Sequence, residues 1–431
     1  MSFEPTHPES VFTYGAPQLK FGPGARHELG FDLGQLGARR VLVVTDPGVA
    51  ATGAPAEIAQ GLGRGGIETV VFDRSHVEPT DASLVEAVEF ARGSAPFDAV
   101  VAVGGGTAID TAKAVNLLLT NDGELMDYVN APVGGGRAPG NSLLPLVAVP
   151  TTTGTGSEST TICVLDVVSQ QVKTGISHPR LRPTLAVVDP ELTISQPAGV
   201  TAASGLDILC HALESYTARP FTSYEAKSAE QRVPYCGSNP ISDLWCEKAL
   251  TLMSGSFRTA VHDGDDAAAR TEVAMAATFA GLGFGNAGVH VPHANAYPIA
   301  GQVGDFQPDG YPERAAGEHG LVPHGMAVSL TAPEAFRWTF EAAPERHVRA
   351  ARLLDPGAEE PDGPDLLPGV LTRIMRDVAI PSGLGAVGFG EGDVDALTEG
   401  ALKQERLLAT APRTVTPEAL SGILRRSLEL W

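Results

Sequence analysis

Up to about residue 190 the chain alternates short apolar runs with turns and helical stretches. Arg40–Thr45 (RVLVVT), Glu68–Phe72 (ETVVF), Phe97–Val103 (FDAVVAV) and Leu143–Pro150 (LLPLVAVP) are the clearest runs. An unbroken apolar run rich in β-branched residues predicts a strand covered on both faces, the pattern of a parallel sheet. Residues 11–21 predict extended chain stopped at Gly22-Pro23-Gly24, and Ile162–Asp166 and Leu185–Asp189 predict two more strands. Ala82–Arg92 and Ala108–Leu119 predict helices that follow strands. Beyond Ile194–Gly199, which carries Pro197, helical periodicity takes over, with helices predicted over 201–218, 240–262, 266–283, 289–301, 322–340 and 344–354. Pro220–Pro240 has no periodicity and predicts a long loop; Asp355–Gly363 predicts an acidic surface turn. The change of pattern divides the chain into residues 1–197, an α/β domain with a Rossmann-like parallel sheet, and residues 198–431, an all-α domain.

Composition narrows the function classes. With 30 basic and 51 acidic residues the formal charge is −21, which repels phosphate backbones and anionic lipids and argues against nucleic acid or a membrane as partner. Hydrophobic residues make up 43%, enough for two cores. Cys163, Cys210, Cys236 and Cys246 are widely spaced, as in a reducing compartment, and neither an apolar span nor a secretory start is present, so a cytoplasmic protein is expected.

Two loops carry the chemistry of the first half. The third apolar run empties into Gly104-Gly105-Gly106-Thr107 and then a helix; glycines let main chain approach a pyrophosphate, and free N–H groups at a helix start favour anions. The fourth empties into Thr151-Thr152-Thr153-Gly154-Thr155-Gly156-Ser157-Glu158, rich in hydroxyl and amide donors. Two such loops after neighbouring strands predict a dinucleotide site at the carboxyl ends of the sheet. Asp46, after an earlier strand, is placed to accept from the adenosine ribose, which favours NAD over NADP. Lys173 is a cation to set beside a nicotinamide, with a solvated lysine as the equal alternative.

In the second half the informative stretch is Gly205–Tyr216 (GLDILCHALESY). Asp207 and His211, four apart, project from one helix face and can share a divalent cation. His290-Val291-Pro292-His293 and His319-Gly320-Leu321-Val322-Pro323-His324 can complete the site, and spacing alone ranks neither histidine of either pair. One Asp and three His leave coordination positions open, as catalysis requires; Fe(II) and Zn(II) both accept such donors. Glu214, on the same helix face, is expected to support a ligand rather than to be one.

In this order the residues resemble the iron-containing (group III) alcohol dehydrogenase family over nearly the whole chain. VAVGGGTAIDTAK is similar to its GGGS-x-x-D-x-A-K segment, with Thr107 in place of Ser, and implies Gly105, Gly106, Thr107 and Asp110 at the cofactor. VAVPTTTGTGSE is similar to its PTT-x-GTGSE segment and implies Thr151, Thr152, Thr155 and Ser157. The resemblance places Asp46 and Lys173 at the family's NAD-selecting carboxylate and nicotinamide-side lysine, and Asp207, His211, His293 and His324 at its metal ligands. His290 and His319 become second choices. It also implies a dehydroquinate synthase-like fold and a dimer or larger homo-oligomer.

Many members carry H-x-x-x-H where this chain has His293-Ala294-Asn295-Ala296-Tyr297, so Tyr297 stands where a histidine usually handles protons. With an ordinary pKa near 10 it is a reluctant base, suited to orienting a substrate or relaying a proton. That tyrosine, the segment Tyr235–Asp243 (YCGSNPISD), LVPHG and PERH resemble the hydroxyacid-oxoacid transhydrogenases within the family. The resemblance implies hydride exchange, on a retained nicotinamide, between a hydroxy acid such as 4-hydroxybutyrate and an oxo acid such as 2-oxoglutarate. The rivals are an alcohol dehydrogenase that exchanges its NAD and, more remotely, a lyase on the same scaffold. Arg219, Arg314 and Arg337 are the cations considered for a substrate carboxylate.

Overall fold

The computed structural model describes residues 8–170, 172–232, 234–311 and 320–431. Its contacts divide into two units: Gly15–Ser195, and Gln196–Trp431 together with the described residues up to Tyr14. The expected assignment of the first residues to the α/β domain therefore changes: the Glu9 N–H donates to the Tyr224 carbonyl (2.8 Å), and Pro8 bridges Glu225, so this segment is held by the helical unit's own loop.

The first unit is built on eight strands: β1 (Gln18–Phe21), β2 (Arg40–Val44), β3 (Glu68–Phe72), β4 (Ala99–Gly104), β5 (Leu146–Pro150), β6 (Ile162–Val167), β7 (Val172–Ser177) and β8 (Leu185–Val188). Six form one sheet in the order β1-β8-β5-β4-β2-β3 with every pair parallel, while β6 and β7 make an antiparallel hairpin. The alternation inside each run decides its two faces. Val41, Val43, Val101 and Val147 pack on one side with Leu29, Ile58 and Leu62; Leu42, Val44, Val100 and Ala148 pack on the other with Leu84, Ile109 and Val115. Each such fully buried aliphatic side chain is worth roughly 1.5–3 kcal/mol of transfer free energy, which is why the central strands carry no polar face. From β2 the chain goes outward to β3 and returns to β4 on the other side of β2, so the order reverses between β2 and β4. Open parallel sheets bind ligands at such a reversal, beyond the strand carboxyl ends. β7 was not predicted: Val-Lys-Thr-Gly-Ile-Ser lacks an apolar run because its pairing is a surface hairpin.

The helices that matter for function are α1 (Gly106–Thr120) in the first unit and α2 (Ala198–Thr217), α3 (Pro240–His262), α4 (Ala267–Ala287), α5 (Val291–Gln302) and α6 (His324–Ser329) in the second. From Gly205 to Thr217 every residue of α2 is buried, so it is the central post of the helical unit rather than a surface helix. The single helix expected over 322–340 is two, α6 and Ala332–Thr339, because Pro333 has no N–H with which to continue the ladder. Among the described residues no helix is long and apolar enough to cross a membrane.

Candidate functional site

In the helical unit, α2 brings Asp207, His211 and Glu214 into the core. Polar groups in that position must find partners or be expensive to bury. Glu214 Oε1 lies 2.6 Å from His293 Nδ1 on α5, and Glu214 Oε2 accepts from the His290 N–H at 2.6 Å and the His293 N–H at 3.4 Å. A carboxylate on Nδ1 fixes that proton there and leaves His293 Nε2 as a lone-pair donor. Nε2 faces Asp207 Oδ1 at 3.5 Å, and His211 Nε2 stands 3.6 Å from the same oxygen.

The third element, α6, reaches this point because residue 325 is glycine. A methyl there would overlap the Ala203 carbonyl oxygen and come within 2.7 Å of Asp207 Cβ, so only glycine lets α6 lie against α2. His324, the residue before it, thereby joins the group: ligand atoms of Asp207, His293 and His324 all lie within 4.8 Å of one another. Its ring centroid is 5.3 Å from that of His293, and the His211 and His293 rings stack at 4.6 Å.

The donor set tests well against a divalent cation. Asp207 Oδ1 and His293 Nε2, which face each other, are buried with no hydrogen-bond partner, although buried polar atoms are nearly always bonded. The carboxylate oxygen of Asp207 and the imidazole nitrogens of His293 and His324 are donors that Fe(II) or Zn(II) takes, while His211 stands beside this group rather than within it. Burial pushes the Asp207 carboxyl upward, but His211, His293 and His324 more than offset it and hold it well below the ordinary carboxylate range. Burial drives His211 down to about 3, keeping it neutral. His293 feels the same burial, yet Glu214 and Asp207 lift it to about 9, so its Nε2 lone pair becomes a donor when a cation displaces the proton held there.

The other histidines have other duties. His290 Nε2 pairs with Thr217 Oγ1 at 3.1 Å, so of the tied pair it is His293 that faces Asp207. His319 and Arg314 lie outside the described residues. Arg219 is committed to Ser223 and the Tyr224 ring, and Arg337 to Glu334 and Asp365. Tyr297 sits one turn beyond His293, its ring 6.0 Å from His324, against an apolar cluster of Phe284, Val289, Ala294 and Leu407 that Tyr235 also joins. Two further residues of the site carry no mark in the sequence: Phe284, whose ring stacks on His211 at 3.8 Å and 7°, and Gly325. A phenylalanine in a helix announces only core, and a glycine only a turn or a close approach.

In the first unit Asp46 and the glycine and threonine loops lie at the carboxyl ends of β2, β4 and β5. Thr151 N–H donates to the Gly104 carbonyl (3.1 Å), tying the two loops together. A side chain on Gly105 would sit 2.8 Å from Thr152 Oγ1 and one on Gly106 3.0 Å from Thr155 Oγ1; Gly104 lies beside Asp46. Asp46 caps the following helix through the Val49 N–H (2.9 Å), and burial raises its carboxyl. α1 opens at Gly106, the residue before Thr107, with no side-chain cap on its first amides, and Thr151 Oγ1 is buried without a partner. Uncapped amides and a partnerless hydroxyl at strand carboxyl ends suit a pyrophosphate.

Asp110 and Ser157 stand in a buried network one layer beneath. Lys113 Nζ, fully buried, lies within 3.1 Å of Asp110 Oδ1, Ser157 Oγ, Thr160 Oγ1 and the Ile162 carbonyl, and Ser157 Oγ donates to Asp110 at 2.6 Å. Their geometry pins the threonine loop to α1. Lys173, on β7, lies 3.6 Å from Glu78 and 3.8 Å from Asp166.

The model of the family described as "Iron-containing alcohol dehydrogenase" matches residues 16–190, and that of its C-terminal region matches 201–305 and 315–428. Among curated proteins, the mitochondrial hydroxyacid-oxoacid transhydrogenase of Bos taurus is 42% identical over 98% of this chain and 91% of its own, and that of Homo sapiens 41% over 98% and 90%. Among solved structures, a 1,3-propanediol oxidoreductase superposes with TM-score 0.83 at 30% identity, covering 97% of this chain and 100% of that one. Sulfoacetaldehyde reductase from Bifidobacterium kashiwanohense, in complex with NAD+, superposes with TM-score 0.77 at 25% identity, covering 96% and 98%. The relatives' names overturn the cytoplasmic expectation: these are mitochondrial proteins. Scarce, unpaired cysteines report a reducing environment, not an address within the cell.

Proposed function

The chain belongs to the iron-containing alcohol dehydrogenase family, and from that premise we propose that it works as a hydroxyacid-oxoacid transhydrogenase holding Fe(II) and NAD. It is a metal-dependent oxidoreductase that moves a hydride between a nicotinamide and an alcohol or hydroxy acid. The observation that carries the reading is the partnerless pair Asp207 Oδ1 and His293 Nε2, 3.5 Å apart, with His211 and His324 beside them.

Asp207, His211, His293 and His324 would hold the metal, and Asp46, Gly105, Gly106, Thr107, Thr151, Thr152 and Thr155 the dinucleotide, with Asp110 and Ser157 shaping the loops and Lys173 near the nicotinamide. When bound, the ion supplies Lewis acidity toward the substrate oxygen and the nicotinamide accepts or returns the hydride. Glu214 keeps His293 in the tautomer that presents Nε2. Phe284, stacked on His211, shuts water from that side of the site. Tyr297, one turn from His293, orients the substrate and passes a proton as a hydrogen-bond donor rather than as a base.

The exchangeable-cofactor dehydrogenase is the less favoured reading, since the relatives at 41–42% identity carry the transhydrogenase name. Purified protein mixed with 4-hydroxybutyrate and 2-oxoglutarate, without added NAD, tests it. Formation of 2-hydroxyglutarate is expected; a strict need for added NAD at every turnover would leave an ordinary dehydrogenase.

A further inference from the structure

Resting on the hydroxy-acid reading above, we propose that Arg406 binds the substrate carboxylate, and that the apolar surface shared by Tyr297 and Tyr235 carries the carbon chain between the metal centre and that arginine.

The cluster of Phe284, Val289, Ala294 and Leu407, with Tyr235 and Tyr297 packed on it, touches the ligand rings twice: Phe284 stacks on His211 at 3.8 Å, and the Tyr297 ring is 6.0 Å from that of His324. At the solvent side of the same cluster the exposed Arg406 guanidinium lies 4.8 Å over the Tyr235 ring. Arg406 belongs to the short helix Glu405–Leu408, whose Leu407 is buried in the cluster beside Ala294 of α5. A substrate with a hydroxyl at one end, a carboxylate at the other and methylenes between needs that sequence of surfaces: donors, an apolar wall, a cation.

Arg406 is also chemically free for the task. Among the described residues its side chain forms no ion pair or hydrogen bond; the guanidinium rests over the Tyr235 face, and its planar fork of donors matches a carboxylate. Arg219 and Arg337 have their donors engaged already. Lys403 is exposed too, but no ring holds it in place. Tyr235 is held where Arg406 can use it: its backbone is left-handed at φ 66°, and the next two N–H groups, of Cys236 and Gly237, donate to the Asn286 and Ala287 carbonyls at the end of α4.

The test loads wild type, Arg406→Gln and Arg406→Lys with iron and NAD and follows nicotinamide reduction by 4-hydroxybutyrate and by 1-butanol, the latter also as a competitor. In Arg406→Gln the half-saturating concentration of 4-hydroxybutyrate is expected to rise at least about tenfold, with 1-butanol unchanged and Arg406→Lys in between. Equal losses for both compounds, or an unchanged hydroxy-acid value beside an active wild type, would overturn the role of Arg406 alone. A wild type that oxidises 1-butanol but not 4-hydroxybutyrate would remove the hydroxy-acid reading, and Arg406's role with it. Iron content and melting temperature of each variant separate these outcomes from a folding defect; Arg406 is exposed and should leave both unaltered.

Discussion

Glu214 Oε1 lies 2.6 Å from His293 Nδ1, and its other oxygen takes the main-chain N–H groups of His290 and His293. One carboxylate therefore fixes both the tautomer of a metal-facing imidazole and the start of the helix that carries it. Glu214→Ala is expected to lower metal affinity by about 10–100-fold, the usual cost of losing such a support. Iron retained against a graded chelator reads this out. Retention equal to wild type would mean that His293 is not held through Glu214.

Gly325 permits α6 to touch α2. In Gly325→Ala the added methyl meets the Ala203 carbonyl oxygen, which cannot yield without moving α2 or α6. A destabilisation of roughly 1–3 kcal/mol is expected, with displacement of His324 and loss of metal. Calorimetry with elemental analysis would show it; a stable variant with full metal content would mean that the approach is looser than described.

Lys113 is an ammonium buried beneath the glycine and threonine loops, and Asp110 is the carboxylate beside it. Removing the ammonium leaves the Asp110 carboxylate without its counter-ion, held only by Ser157 Oγ and the Val164 N–H. Lys113→Met is expected to destabilise the α/β unit by about 3–5 kcal/mol and to weaken NAD binding through the threonine loop. Urea unfolding followed beside NAD titration tests both parts. Weak NAD binding with unaltered stability would reveal a direct cofactor contact instead.

His347 is buried between Thr339 Oγ1 and the Ala343 carbonyl, both at 2.8 Å, and burial holds its imidazole down at about 4. The unfolded chain titrates near 6.5, so between about pH 6.5 and pH 4 it binds more protons than the folded one. Stability contributed by this group is complete above pH 6.5 and is lost as the pH falls toward 4, about 3 kcal/mol at roughly 1.4 kcal/mol per pH unit. His347→Gln should flatten the fall in melting temperature across that window while lowering stability at neutral pH. An identical slope in wild type and variant would exclude His347 as the source.

The first residues show the limit of reading along the chain. Nothing in the opening segment marks it as part of the helical unit. Its main-chain bond to Tyr224 and the capture of the Glu9 carboxylate by the Lys227 N–H exist only once the 220–240 loop has folded. The strands were legible for the opposite reason. β2, β4 and β5 are buried on both faces, so their apolar runs are uninterrupted and local.

Residue order alone determined the two-part architecture, the glycine and threonine loops after their strands, and the donor types Asp and His, because each is written in neighbours a few positions apart. Only the tertiary structure decided that His293 rather than His290 faces Asp207, that Lys113 locks the threonine loop, and that Arg406 lies on Tyr235. Those choices depend on close approaches between residues far apart in the chain, set by which helix can come near which. A missing methyl at position 325 controls one such approach as firmly as any charge.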